Sequence, residues 1–85
     1  MNIQPTALPG VLLITPKKFT DARGVFWETY NQRLMQQAGL PTDWKQDNTS
    51  VSVRNVVRGI HYQITQPQGK LVHVTFGAVF DVAVD

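Results

Sequence analysis

Apolar residues along this chain fall into short runs and into strict alternation, and only once at the spacing of a helix. Val11-Leu12-Leu13-Ile14-Thr15 is a β-prone run that follows Pro9-Gly10 and is ended by Pro16, because proline cannot donate to a sheet ladder. Val25-Phe26-Trp27-Glu28-Thr29-Tyr30 is aromatic and β-branched, a composition that suits a pleated surface and predicts a strand. Between the two, Asp21-Ala22-Arg23-Gly24 carries turn chemistry. One helix is predicted over residues 31–38, with Asn31 as its cap and Leu34, Met35 and Ala38 on one side. Gly39 suits the left-handed stop, and Pro41 follows it.

From Lys45 onward the pattern is β throughout. Gln46, Asn48, Ser50 and Ser52 alternate with Asp47, Thr49, Val51 and Val53, so a strand here puts the two sets on opposite faces. Residues 56–63 and 71–76, with a Pro67-Gln68-Gly69 turn before the second, predict two more strands, and residues 78–84 after Gly77 predict a last one. The chain contains no repeat, linker or low-complexity tract, which predicts a single domain over residues 1–85, mainly β and antiparallel. The apolar run that reaches Asp85 has no turn behind it. Its sheet is therefore expected to be incomplete within this chain and to need a partner.

Composition narrows the function. Of 85 residues, 42% are hydrophobic and 16% charged, the balance of a globular chain. Cysteine is absent, so no disulfide can supplement a small core, which fits a cytoplasmic protein. No charged-then-apolar leader opens the sequence, and no apolar run approaches the ~20 residues that span a bilayer. Neither secretion nor a membrane is expected. The net charge is +2, but the eight Lys and Arg are scattered, with only Lys17-Lys18 adjacent. A nucleic-acid surface would concentrate them. A small anionic ligand held by a few arginines fits better.

Two explanations suit the polar alternation of Gln46, Asn48, Ser50 and Ser52: a face turned to water, or the lining of a polar cavity in a small barrel. Amide side chains both donate and accept, which suits a sugar nucleotide. In Val56-Val57-Arg58-Gly59-Ile60-His61-Tyr62-Gln63, His61 is a strand histidine of the sort more often structural than catalytic, but Arg58 and Lys70 flank it. Arg58 and His61 have opposite parity and would point to opposite faces unless a bulge forms at Gly59. By the same parity His73 points away from Lys70, and Asp81 and Asp85 share a face whose role reads as structural. No His-x-His pair and no thiolate are present, so a metal ligand set is not expected.

These segments together resemble the dTDP-4-dehydrorhamnose 3,5-epimerase family, a metal-free branch of the cupin-type jelly rolls. The resemblance runs through Phe19-Thr20-Asp21-Ala22-Arg23-Gly24-Val25-Phe26-Trp27-Glu28, Gln46-Asp47-Asn48-Thr49-Ser50 and Val57-Arg58-Gly59-Ile60-His61-Tyr62-Gln63. It continues through Gln68-Gly69-Lys70-Leu71-Val72 and Gly77-Ala78-Val79-Phe80-Asp81-Val82-Ala83-Val84-Asp85, in order and covering nearly the whole chain. It implies a cupin-like double-stranded β-helix, incomplete in this chain and corresponding to the N-terminal portion. It implies that His61 is the general base and that Lys70 steadies charge on the substrate. Arg23, Glu28, Gln46, Asn48 and Arg58 are then contacts to a dTDP-sugar, with Arg23 and Glu28 reaching into the neighbouring subunit of a homodimer. No cofactor is implied. The family's proton-returning tyrosine belongs to its second half, and Tyr30 and Tyr62 match other positions. The stretch from His61 to Lys70 is slightly shorter than is usual in the family.

Two functions follow. One is a 3,5-epimerase of the dTDP-L-rhamnose pathway; the other is a catalytically silent remnant that only binds sugar nucleotide or self-associates.

Overall fold

The computed structural model describes residues 1–85. Its first part consists of two separate antiparallel hairpins and one helix. Strand β1 (Asn2–Pro5) pairs with β2 (Leu12–Thr15), with Ile3 opposite Ile14 and Gln4 opposite Leu13. Thr6 closes the connection. Its amide donates to the Val11 carbonyl at 3.2 Å, and its hydroxyl donates to the same oxygen at 2.7 Å. Strand β2 lies where the apolar run predicts it. Strand β1 carries no pattern of its own, since Ile3 is its one large apolar residue. Pairing with β2 creates it.

Strand β3 (Lys18–Asp21) pairs with β4 (Gly24–Trp27) through the Ala22-Arg23 turn. Phe19 stands opposite Phe26 and Thr20 opposite Val25. Directly opposed residues share a face, so the two phenylalanines form one aromatic face of the hairpin. On the other face Lys18 Nζ lies 4.8 Å from the Trp27 ring centroid, which shields an apolar surface with a cation. The predicted strand over residues 25–30 is shorter than expected, because the ladder ends at Trp27. The next positions of β4 would face Lys17 and Pro16, and Pro16 has no N–H to offer.

Helix α1 (Gln32–Gln37) is placed as the sequence predicts. Asn31 is extended (φ −143°, ψ 114°), and its Oδ1 accepts from the Leu34 amide at 3.0 Å. Such a cap is typically worth about 1 kcal/mol. At the other end Leu40 N donates to Met35 O at 2.9 Å and Gly39 N to Gln36 O at 3.0 Å, with Gly39 at φ +73°. This is the Schellman closure, which needs a residue tolerant of positive φ at that place. Met35 is 2% exposed and is the one fully buried residue of the chain.

Residues 41–85 contain no strand and no helix. The strands expected over 46–53, 56–63, 71–76 and 78–84 are not paired, so a jelly roll is not shown; the architecture is mainly β, four strands in two pairs with one short helix, consistent with part of a cupin-like fold. The physical reason is pairing. A strand is stabilised by its ladder and cross-strand contacts, not by propensity alone. All 16 backbone hydrogen bonds lie before residue 41, and none joins the later stretches. No helix is long and apolar enough to cross a membrane.

Candidate functional site

The predicted site residues occupy three stations along the chain, and all of them face solvent. The first is the β3–β4 hairpin. Arg23 sits at its turn because Asp21 holds it there. The Arg23 amide donates to Asp21 Oδ1 at 2.8 Å, while Nε and Nη2 donate to Oδ2 at 3.3 and 2.8 Å. The Arg23 side-chain hydrogen bond, followed by its backbone amide, lowers the Asp21 pKa below the ordinary 3.8. A carboxylate with a depressed pKa supports the turn above its ordinary value and releases it as pH falls through the lowered one. Arg23→Ala is expected to return Asp21 partway to 3.8, since the backbone donors remain. A carboxyl-carbon NMR titration showing no change would disprove the guanidinium's part.

Arg23 borders an open depression of about 340 Å³ together with Phe19 and Phe26. Glu28, just past β4, borders a second of about 310 Å³ with Tyr30 and Leu34. The Phe19–Phe26 pair lines both. His61 and Lys70 line neither.

The second station is residues 46–58. Gln46 Nε2 donates to Asn48 Oδ1 at 3.2 Å, so these two alternate side chains do lie side by side. Arg58 reaches back across the Arg54-Asn55 turn, where Asn55 has φ +71°. Its Nε donates to Ser52 Oγ at 2.8 Å and its Nη2 to the Val51 carbonyl at 3.3 Å. This clasp joins the two stretches predicted as strands over residues 46–53 and 56–63.

The third station is the bend between His61 and Lys70. Gln63 Oε1 accepts from the Gln68 amide at 3.3 Å, closing the loop over residues 64–66. Gly59 has φ +158°, a value that other residues rarely adopt, so the backbone leaves regular strand geometry between Arg58 and His61. The parity conflict between these two side chains falls at that point.

His61, Lys70 and Glu28 have no hydrogen-bond or ion-pair partner within the chain, and the three stations are joined by no polar contact. No three His, Cys, Asp or Glu side chains converge as a metal would require. Sequence reasoning singled out neither Asp21 as the anchor of Arg23 nor Gln63 as the clasp of the loop. The first was accessible, since an Asp two residues before a free amide at a turn is Asx-turn chemistry. The second was not, because a glutamine carries no such local signature.

Comparison with known proteins supplies what the isolated stations do not. The sequence profile described as dTDP-4-dehydrorhamnose 3,5-epimerase matches residues 5–85. A protein of that name from Pseudomonas aeruginosa is 58% identical over the whole of this chain, which covers 48% of the relative. One from Methanothermobacter thermautotrophicus is 52% identical over 94% of this chain and 43% of the relative. A Streptomyces niveus protein named dTDP-4-dehydrorhamnose 3-epimerase is 47% identical over the whole chain and 42% of the relative. The chain thus spans about half the length of the curated relatives it matches. No solved structure matches it. With a profile match over all but the first four residues, the chain belongs to the dTDP-4-dehydrorhamnose 3,5-epimerase family.

Proposed function

We propose that this chain provides the proton-abstracting half of a dTDP-4-dehydro-6-deoxyglucose 3,5-epimerase. The match over residues 5–85, a stretch that includes His61 and Lys70, is the observation on which this rests. In such a substrate the C4 ketone acidifies the C–H bonds at C3 and C5. A neutral imidazole at His61 takes the proton, and the Lys70 ammonium stabilises the enolate oxygen that results. Arg58, Gln46 and Asn48 supply donors and acceptors for the nucleotide diphosphate and sugar.

Arg23 and Glu28 lie on or beside a separate hairpin with its own exposed aromatic face. A homodimer in which that hairpin reaches a neighbouring subunit's site is the assembly this placement fits. The reading includes the whole of residues 1–85 as one domain, a cytoplasmic setting and no cofactor. The silent-remnant alternative is not favoured by the high identity to proteins named as epimerases.

The test is a single polypeptide that joins this chain to the part of the P. aeruginosa relative outside the matched stretch. Turnover of the dTDP-4-keto sugar to its 3,5-epimer, followed by proton NMR, is the expected result. Tight binding of the nucleotide sugar with no turnover would refute the reading.

A further inference from the structure

Two of the residues proposed to hold the dTDP-sugar are arginines, and each is gripped along the same edge. Arg58 donates from Nε to Ser52 Oγ and from Nη2 to the Val51 carbonyl. Arg23 donates from the same two nitrogens to Asp21 Oδ2, at 3.3 and 2.8 Å. A guanidinium has further N–H groups on Nη1 and a second one on Nη2, and in Arg23 these donate to nothing in the chain. Along the opposite edge of the plane Nη1 and Nη2 present a parallel fork, the arrangement that a phosphate accepts bidentately. Asp21 grips the root of the residue as well as its tip, because its Oδ1 accepts from the Arg23 amide at 2.8 Å. No other hydrogen bond restrains the Arg23 side chain, which is 92% exposed. Without that grip so long a side chain samples many rotamers, and binding has to freeze them.

We propose that Asp21 is a positioning residue for nucleotide binding, holding Arg23 so that its free guanidinium edge meets the substrate's diphosphate in one orientation. The assignment rests on the reading of Arg23 as a substrate contact, and it adds a residue that touches no ligand itself. Two effects of the carboxylate oppose each other. Holding the side chain in place removes most of the entropy cost of ordering it on binding, worth about two- to tenfold in affinity. The carboxylate charge repels the diphosphate, and the hydrogen bonds from Arg23 keep it ionised by lowering its pKa below the ordinary 3.8. Both anions stand in water, so at about 0.5 M salt the repulsion is screened, whereas the ordering is not. Under those conditions the ordering decides.

The experiment titrates the joined polypeptide with dTDP by calorimetry at about 0.5 M salt. Asp21→Asn keeps an oxygen for the Arg23 amide, and so the turn, but puts an NH2 group where Oδ2 accepts from the guanidinium. It is expected to weaken dTDP binding by about two- to tenfold, and in turnover to raise KM rather than lower kcat. The same substitution in an Arg23→Ala background is expected to add nothing, because Asp21 acts through Arg23. An equal loss with and without Arg23 would overturn the proposal in favour of a purely structural turn. Full affinity in Asp21→Asn while Arg23→Ala weakens binding would overturn it too. Full affinity in Arg23→Ala would instead refute Arg23 as a contact, so failure of the underlying reading and failure of the positioning role give different results.

Discussion

In the joined polypeptide, His61→Asn is expected to lower kcat/KM by ~10²–10⁴-fold, the usual contribution of a positioned general base. Asparagine keeps comparable size and hydrogen-bonding capacity but cannot take up a proton at neutral pH. The loss should therefore fall on kcat far more than on KM, since the residue acts on the reacting bond and not on the nucleotide. Lys70→Met removes charge from a side chain of similar length. If Lys70 faces the developing enolate, the cost is on the order of 10²–10³-fold, as for other groups aimed at transition-state charge. Deuterium wash-in from solvent at C3 and C5 separates the two roles. His61→Asn should abolish it, whereas Lys70→Met should slow it. Wash-in unaffected by His61→Asn would remove the histidine from its assigned role and turn attention to His73. Residues 1–85 alone should give no epimerised product, because proton return to the opposite face needs a donor that Tyr30 and Tyr62, matched to other family positions, do not supply. Full epimerisation by residues 1–85 alone would contradict that division of labour.

What was legible in the sequence follows the range of the interactions involved. Helix α1 was read almost to the residue because its signals are local: Asn31 bonds an amide three residues on, and Gly39 terminates the helix through its own backbone conformation. The Asp21–Gly24 turn was legible for the same reason, and Leu12–Thr15 because a short apolar run between prolines leaves few alternatives. Strand β1 was missed because only its partner makes it a strand. The opposite error arose after residue 45, where alternation was read as strand although no ladder forms. Period-two patterning describes what a segment would bury, not whether something is present to bury it against. The candidate site divides likewise. Residue identities came from motif order, whereas the clasps at Arg58 and Gln63 join residues five to seven positions apart and carry no motif.

Residues 1–85 alone are expected to melt with no cooperative calorimetric transition. A packed domain of this length would have about 4–13 kcal/mol of stability. Here the buried interior is Met35 alone, and full burial of one such side chain contributes about 1.5–3 kcal/mol. Fixing a residue's backbone costs about 1–2 kcal/mol, so one buried methionine cannot hold the second half of the chain in place. Dye binding to exposed apolar surface should be strong, given Val57, Phe76 and Phe80 at more than 90% exposure. Near-ultraviolet circular dichroism from Trp27 and Trp44 should be weak, as neither indole is fully enclosed. The joined polypeptide should show a single heat-absorption peak, scaling at ~0.7 kcal/mol per ordered residue near 60 °C. A sharp peak of that specific enthalpy from the dilute chain alone, unchanged by concentration, would show that residues 41–85 find their packing within one copy. The exposed apolar residues would then have to be buried by a rearrangement of residues 1–85 themselves, and no further polypeptide would be needed to order them.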